Sequence, residues 1–134
     1  MSDSFEINKK QEFDASVLSL RSDGLLNIYL KPNKVLKQSD GEEIVKGLSD
    51  MGNGKKFLLL FTAGEDTSVS TEARYYASTP EANKFTIASA FVVKSIAQKL
   101  LGNAYVTFNK PVTPTRIFTD EGEALKWLET FRNK

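Results

Sequence analysis

The residues best placed to do chemistry are the hydroxyl-bearing side chains of a polar stretch that directly follows an apolar run. The run covers residues 57–61, and residues 64–71 after it are polar and rich in hydroxyl groups. These hydroxyl groups belong to Thr67, Ser68, Ser70 and Thr71. A phosphate on one of them would add about two negative charges near a helix N-terminus and near Arg74. The stretch is therefore a candidate phospho-acceptor or partner-binding loop, with Arg74 as its anion-binding residue.

The same stretch also fits a purely structural role, and its neighbours leave other possibilities open. Serine and threonine are favoured at helix N-caps, so these hydroxyl groups could simply begin a helix. Glu65 and Asp66 could act as a carboxylate pair in acid–base or Mg²⁺ chemistry, but no third ligand is close in the sequence. Tyr75 and Tyr76 are adjacent, so one helix face does not bury both, and one of them could line a cleft or an oligomer contact.

The composition excludes several classes of chemistry. The chain has no histidine and no cysteine, which excludes a Ser-His-Asp triad, thiolate nucleophiles and zinc sites built on those residues. Its 18 basic and 17 acidic residues give a net charge of +1, which offers no electrostatic reason to propose nucleic-acid or acidic-membrane binding. Any catalysis would need Asp, Glu, Lys or Tyr with a shifted pKa, or a borrowed cofactor. We predict no catalytic residue, no metal site and no cofactor, and an enzyme without histidine is the alternative that the composition leaves open.

The length and the hydropathy pattern predict one domain outside the membrane. A chain of 134 residues has the usual size of a single domain, and no linker or internal repeat divides it. Residues 1–12 are polar, and we expect them to form a flexible N-terminus. The longest apolar run, residues 57–61, is too short to span a bilayer, and no signal peptide is visible. We therefore expect a cytoplasmic protein.

Apolar periodicity predicts an α/β fold. The first two predicted strands alternate around a turn at Gly24 and form an antiparallel hairpin. The third is apolar throughout and the fourth is apolar after Ser89, as in neighbouring strands buried on both faces. The predicted strands are residues 13–20, 26–30, 57–61, 89–93 and 114–118. The predicted helices are residues 40–51, capped by Ser39 or Asp40, and residues 72–77, 80–84, 95–108 and 120–131. A hairpin followed by strand–helix units predicts a mixed sheet of about five strands packed with helices.

The helix predicted over residues 95–108 has an apolar residue at every fourth position. These positions are Ile96, Leu100, Ala104 and Phe108. Gly102 costs this helix about 1 kcal/mol relative to alanine, so we expect another element to pack closely against it. For Tyr105, Phe108 and Trp127 we expect core packing. The basic, proline-rich residues 109–116 fit a crossover loop best, although they could also cover a pocket mouth or touch a partner.

The order of elements, together with short matching segments, resembles the STAS/SEC14-like superfamily and, more narrowly, the small bacterial proteins called SpoIIAA-like, or anti-sigma-factor-antagonist-like. The matching segments are EAR at 72–74, AFVVKS at 90–95, LGNAY at 101–105, NKP at 109–111, PTRIFT at 114–119 and EALKWL at 123–128. The resemblance covers residues 13–131. In signalling members of the superfamily, a strand ends in a loop that carries a phosphorylatable serine within an Asp-Ser-Gly motif. The equivalent place here is residues 64–71, where this chain has Asp66-Thr67-Ser68 instead.

This resemblance implies a regulatory module without enzymatic activity that binds a protein partner or a small apolar or anionic ligand. A structural homodimer is the alternative. A small lipid-binding protein like the SEC14 relatives is a third possibility, although no pocket-forming helices of that kind are recognisable in the sequence. We expect neither nucleic acid nor a membrane span among its partners.

Overall fold

The computed structural model of the protein describes residues 6–132. Within these residues the chain forms eight strands and four α-helices, and the third helix continues into a π-helical turn, Tyr105–Asn109. The strands are β1 Ile7–Glu12, β2 Ser16–Arg21, β3 Leu26–Leu30, β4 Val35–Leu36, β5 Phe57–Ala63, β6 Ser68–Val69, β7 Thr86–Val92 and β8 Thr115–Phe118. The helices are α1 Gln38–Gly52, α2 Thr71–Ala77, α3 Ile96–Ala104 and α4 Glu121–Glu129.

Six of the strands form one mixed sheet in the order β1-β2-β3-β5-β7-β8. The strand β2 is antiparallel to both of its neighbours, β1 and β3, whereas β3, β5, β7 and β8 are parallel to one another. Leu60 of β5 pairs with Ala90 of β7, so the two apolar segments lie side by side inside the sheet. This confirms the predicted hairpin and the predicted pair of interior strands. The remaining two strands, β4 and β6, form a short parallel pair of their own.

The sixth strand of the sheet is β1, where the sequence predicts a flexible terminus. Residues 7–12 pair antiparallel with β2, although their side chains are almost all exposed. Strand pairing uses backbone N–H and C=O groups, so a polar segment can join a sheet edge without burying side chains. The prediction is wrong for residues 7–12, and residues 1–5 lie outside the described part of the chain.

Two helical predictions also need correction. Residues 80–84 form hydrogen-bonded turns instead of a helix. The Asn83 side chain there donates to the carbonyl oxygens of Ala77 and Thr79, at 2.8 and 2.7 Å, and these bonds stabilise the compact turn. Helix α1 begins before Ser39, and Asp40 stabilises it from within the first turn by accepting a hydrogen bond of 2.8 Å from the Lys37 N–H.

The sheet separates two hydrophobic cores. Successive residues of β5 point to opposite faces, so Leu59 packs with α1 while Leu58 and Leu60 pack with α4. On the α4 side, the Trp127 ring lies against Phe118, with ring centroids 5.8 Å apart, as expected for a core residue. The opposite side carries α1, α2 and α3, and this side holds the candidate site described below.

Helix α3 presents a different face to the sheet from the one its apolar spacing predicts. Tyr105 is buried as expected, but Phe108 is 80% exposed, so its predicted core packing is wrong. The close approach predicted at Gly102 is confirmed, since a Cβ there would lie 2.9 Å from Ile117 Cδ1 of β8. An added methyl group would require the Ile117 side chain to shift, so glycine allows the helix to pack this closely against β8. Ile96 and Leu100 face solvent.

The loop after β5 crosses the loop after β3 at Gly64. The Gly64 N–H donates to Leu30 O at 2.8 Å, and a Cβ on this residue would lie 2.6 Å from Pro32 N and 2.7 Å from Leu30 O. These are backbone atoms, which cannot rotate away from an added methyl group. The crossing therefore requires glycine.

We predict that Gly64→Ala lowers the free energy of unfolding by at least about 2 kcal/mol, because the backbone segments must separate. Chemical denaturation measures this change. Gly122→Ala is the control, since a Cβ in α4 meets only the side-chain atom Asp120 Oδ2, at 3.3 Å, and alanine favours the helix. If the Gly64→Ala variant were as stable as the parent, the loops after β3 and β5 could not be packed as closely as the structure shows.

Candidate functional site

A cavity of about 100 Å³ opens at the carboxyl ends of the parallel strands, between the sheet and helices α2 and α3. We call it the α3 cavity. Its walls include Ala63 at the end of β5, Val93 just after β7, Ile117 of β8, and Leu101 and Tyr105 from the helical side. Open α/β sheets commonly bind their ligands at the carboxyl ends of the strands. The position and the apolar walls together favour a binding site for an apolar group.

Aromatic rings form part of the floor of this cavity. The ring of Phe91 stacks on Phe61, with centroids 4.3 Å apart, and Tyr105 meets Phe91 edge-on at 6.3 Å. Burial raises the pKa of the Tyr105 phenol, so this group is neutral at physiological pH. The floor therefore offers a flat, uncharged surface to a ligand.

Arg74 is the charged residue in the wall of the α3 cavity. Its guanidinium donates to the Val69 carbonyl and, at 3.3 Å, to the Thr71 hydroxyl. Within residues 6–132, Arg74 forms no ion pair with a carboxylate. The side chain is half-buried, and its planar donor array matches carboxylate and phosphate groups. Its position beside apolar walls suits a ligand with one anionic end.

A second cavity of about 100 Å³, which we call the α1 cavity, lies between the sheet, α1 and α2. The two cavities share five wall residues, Leu30, Val69, Ala77, Phe91 and Tyr105. Tyr76 lines the α1 cavity, and burial, with the nearby carboxylates of Glu42 and Glu81, raises the pKa of its phenol. Tyr75 is 69% exposed and lines neither cavity. Of the two tyrosines, Tyr76 is thus the one beside a cleft.

Two of the candidate hydroxyl groups have structural roles in the fold. Thr67 is 4% exposed and donates to the Lys31 carbonyl at 2.5 Å, which ties the loops after β3 and β5 together. Ser70 is the N-cap of α2 and accepts a hydrogen bond of 3.1 Å from the Ala73 N–H. Both hydroxyl groups are engaged by the backbone.

The other two hydroxyl groups, those of Ser68 and Thr71, do not cap a helix. Ser68 is half-buried in β6 and, like Thr67, lines the α3 cavity. Thr71 is exposed, and its hydroxyl accepts the hydrogen bond from Arg74 described above. The structure therefore brings Thr67, Ser68 and Arg74 to one cavity, with Thr71 bonded to the same arginine.

The acidic pair lies outside this arrangement. Glu65 and Asp66 are exposed at the tip of the loop between β5 and β6, where Asp66 adopts a left-handed conformation with φ of 59°. Across residues 6–132, no three acidic side chains come together in a way that could hold a metal ion.

Gln98 is the residue of this site that sequence reasoning missed. Its side-chain nitrogen donates to the carbonyl oxygens of Gly64 and Thr67, both at 3.0 Å, and its side-chain oxygen accepts from the Lys94 N–H at 2.8 Å. The residue is 9% exposed. One signal could have found it, because Gln98, Leu101 and Tyr105 form a second stripe at helical spacing.

We predict that Gln98→Leu lowers the free energy of unfolding by about 2–4 kcal/mol, since it removes the side-chain hydrogen bonds to two carbonyls and one N–H. The control is Gln38→Leu, because the Gln38 side chain is exposed and bonds only Glu42 in the described structure. We expect that control to stay within about 0.5 kcal/mol of the parent in the same denaturation experiment. Similar effects of the two substitutions would show that Gln98 does not join the loop to α3.

A comparison with solved structures identifies the architecture. The chain matches the crystal structure of an uncharacterised DUF3478-family protein from Shewanella loihica PV-4, which is described as having a SpoIIAA-like fold. The TM-score is 0.55 at 16% sequence identity, and the match covers 96% of this chain and 98% of that one. A likeness at this identity shows the fold alone. It confirms the SpoIIAA-like α/β fold expected from the sequence.

Sequence comparison supplies the family. No curated protein matches this chain. Residues 18–132 match the profile of DUF7793, a domain of unknown function, and this match spans β2 to the end of α4 and includes both cavities. The chain therefore belongs to the DUF7793 family.

Proposed function

We propose that this protein is a regulatory module that binds a small apolar ligand with an anionic end in the α3 cavity and catalyses no reaction on it. One observation carries the proposal: Arg74, without a carboxylate partner among the described residues, lies in a wall in which apolar side chains predominate. An anionic group at Arg74 would gain a charge-assisted hydrogen bond, while the attached apolar group would leave water.

The groups around the cavity support binding more than catalysis. Arginine carries a permanent positive charge, and the Tyr105 phenol remains protonated because burial raises its pKa. Neither group exchanges a proton near neutral pH, as a general acid or base must. Hydrogen bonds from Thr67 and Gln98 hold the loop beside the cavity, so a bound ligand would meet a preformed wall.

The cavity volume limits the size of the apolar group. A cavity of about 150 Å³ in another protein holds one benzene molecule. The α3 cavity, at about 100 Å³, is therefore suited to a chain of about four carbon atoms or a small ring. A larger ligand would need the α1 cavity as well, and movement of a shared side chain such as Tyr105 would join the two cavities.

We predict that pentanoate binds at least about tenfold more tightly than pentan-1-ol, because only the carboxylate forms a charged hydrogen bond with Arg74. Titration followed by NMR, with the methyl groups of Leu101 and Ile117 as reporters, measures both affinities. Arg74→Met should remove the difference between the two compounds. Ala77→Leu should weaken both, since its side chain fills space at the boundary of the two cavities.

The matched control is Ala97→Leu, which makes the same change at an exposed position of α3 and should leave both affinities unchanged. Thermal denaturation confirms that each variant is folded. Saturable shifts with neither compound, or shifts that Ala77→Leu leaves unchanged, would contradict the proposal.

A second candidate function is a phosphorylation switch at Thr71. The observation in its favour is that Thr71 is exposed and already hydrogen-bonded to Arg74, so a phosphate on it would meet a positive charge at once. Thr67, by contrast, is buried beneath the loop. The same arginine would then serve either a free anion or a phosphate on the chain itself.

We predict that protein isolated from its own host carries a phosphate-sized mass increase on the peptide that contains Thr71. Tandem mass spectrometry assigns the modified residue, and Thr71→Ala should abolish the signal. Modification confined to Ser68 or Ser70 would contradict this assignment, as would unmodified protein under every growth condition tested.

A further inference from the structure

The outer face of α3 and of the π-helical turn exposes large apolar side chains. Ile96 is 78% exposed and Leu100 is 66% exposed, and the two lie about one helical turn apart on the same face. Phe108, in the π-helical turn, is 80% exposed. Single exposed apolar side chains are common on protein surfaces. Several on one element indicate a surface that contacts another protein or a membrane.

Positive charge surrounds these apolar side chains. Residues 82–119 contain five of the 18 basic residues of the chain and none of its 17 acidic residues. Three of the five are exposed lysines of this element: Lys94 precedes its first turn, Lys99 adjoins Leu100, and Lys110 follows the π-helical turn. We call these six residues the α3 face: Lys94, Ile96, Lys99, Leu100, Phe108 and Lys110.

The loop that holds the acids Glu65 and Asp66 also contacts α3, but on its other side. That loop is bound by Gln98, which points toward the sheet, whereas Ile96 and Leu100 point to solvent. The chain as a whole has a net charge of only +1, but its acidic residues lie outside residues 82–119, and the α3 face within that segment is basic.

We propose that the α3 face docks on a membrane surface that contains anionic lipids. Among residues 6–132, no helix is long and apolar enough to cross a bilayer, so this contact would lie in the interface. There the apolar side chains would enter the boundary of the acyl chains, and the flexible lysine stems would carry their charges to the headgroups. An open depression beside Lys94 and Lys99, of about 450 Å³, leaves room for a headgroup between these cations.

Charge and shape favour a bilayer over the other possible occupants. A second copy docked face to face would place three lysines against three lysines, which opposes the homodimer that the sequence leaves as an alternative. The face is the convex surface of one helix, and a bilayer accepts such a surface without a shaped counterpart. An acidic protein partner would need a groove that matches it.

Vesicle co-sedimentation tests this proposal on the intact protein. We expect binding to phosphatidylcholine vesicles that contain roughly one quarter phosphatidylglycerol, little binding to phosphatidylcholine alone, and weaker binding as salt is raised. The triple variant Lys94→Gln, Lys99→Gln, Lys110→Gln should bind the anionic vesicles about 100-fold more weakly. Replacing Ile96, Leu100 and Phe108 by serine should weaken binding at least about tenfold without lowering the charge.

The control variant is Lys46→Gln, Lys55→Gln, Lys56→Gln, which removes the same charge from exposed positions on α1 and before β5. We expect its affinity to stay within about threefold of the parent. Because all the substituted residues are exposed, each variant should keep the thermal midpoint of the parent. The proposal does not depend on the cavity ligand, since the two sites use opposite sides of α3.

Three outcomes would overturn the proposal. The first is a lack of binding to anionic vesicles at low salt. The second is equal weakening by the two lysine variants, which would mean attraction by overall charge alone. The third is a result in which vesicles do not bind but the α3 face binds something else. That would be either a polyglutamate probe or, in concentration-dependent dimerisation, a second copy of the chain. That result would assign the face to an acidic protein or to a second copy.

Discussion

The side-chain amide of Gln98 joins segments that are distant in the sequence. It holds the loop after β5 through the carbonyls of Gly64 and Thr67, and it holds the start of α3 through the Lys94 N–H. Buried carbonyl and amide groups need such partners, because water does not reach them. The position of the loop relative to α3, and hence the wall of the cavity between them, depends on this one side chain.

The arrangement around Gln98 explains why apolar space remains in the middle of the fold. Gly102 brings α3 close to Ile117 at one point, and Gly64 brings two loops together at another. Between these contacts, α2 faces the α3 cavity with the small side chain of Ala77, which leaves space beside the Phe91 ring. Arg74 then supplies a charge at the boundary of a mostly apolar space.

Helix α3 has a different surface on each side. Its inner side carries Gln98, Leu101 and Tyr105, which build the cavity. Its outer side carries exposed apolar residues and lysines. The net charge of the whole chain is only +1, so it does not reveal the difference in charge between the two sides of α3. Placement of like charges along one element creates a local field that composition does not report.

Local sequence determined the elements whose signals depend on near neighbours. The two central strands follow from apolar runs. Helix α1 ends at Gly52, with Asn53 as its left-handed C-cap, close to the predicted end at residue 51, and Asp120 caps α4 by accepting from the Glu123 N–H at 2.9 Å. These features need only short-range periodicity or a single side chain beside a helix end. They were accordingly predictable, as was the SpoIIAA-like arrangement of the elements.

Tertiary structure alone decided which side of α3 is buried and where the cavity lies. The stripe of Ile96 and Leu100 and the stripe of Gln98 and Tyr105 both have helical spacing, so periodicity did not choose between them. Contacts with other elements distinguish the two stripes, because Gln98 bonds the loop after β5 and Gly102 lies against Ile117 of β8. Likewise, residues 7–12 became a strand because an open sheet edge offered backbone partners. Each outcome depends on contacts between residues distant in the sequence, which local patterns do not encode.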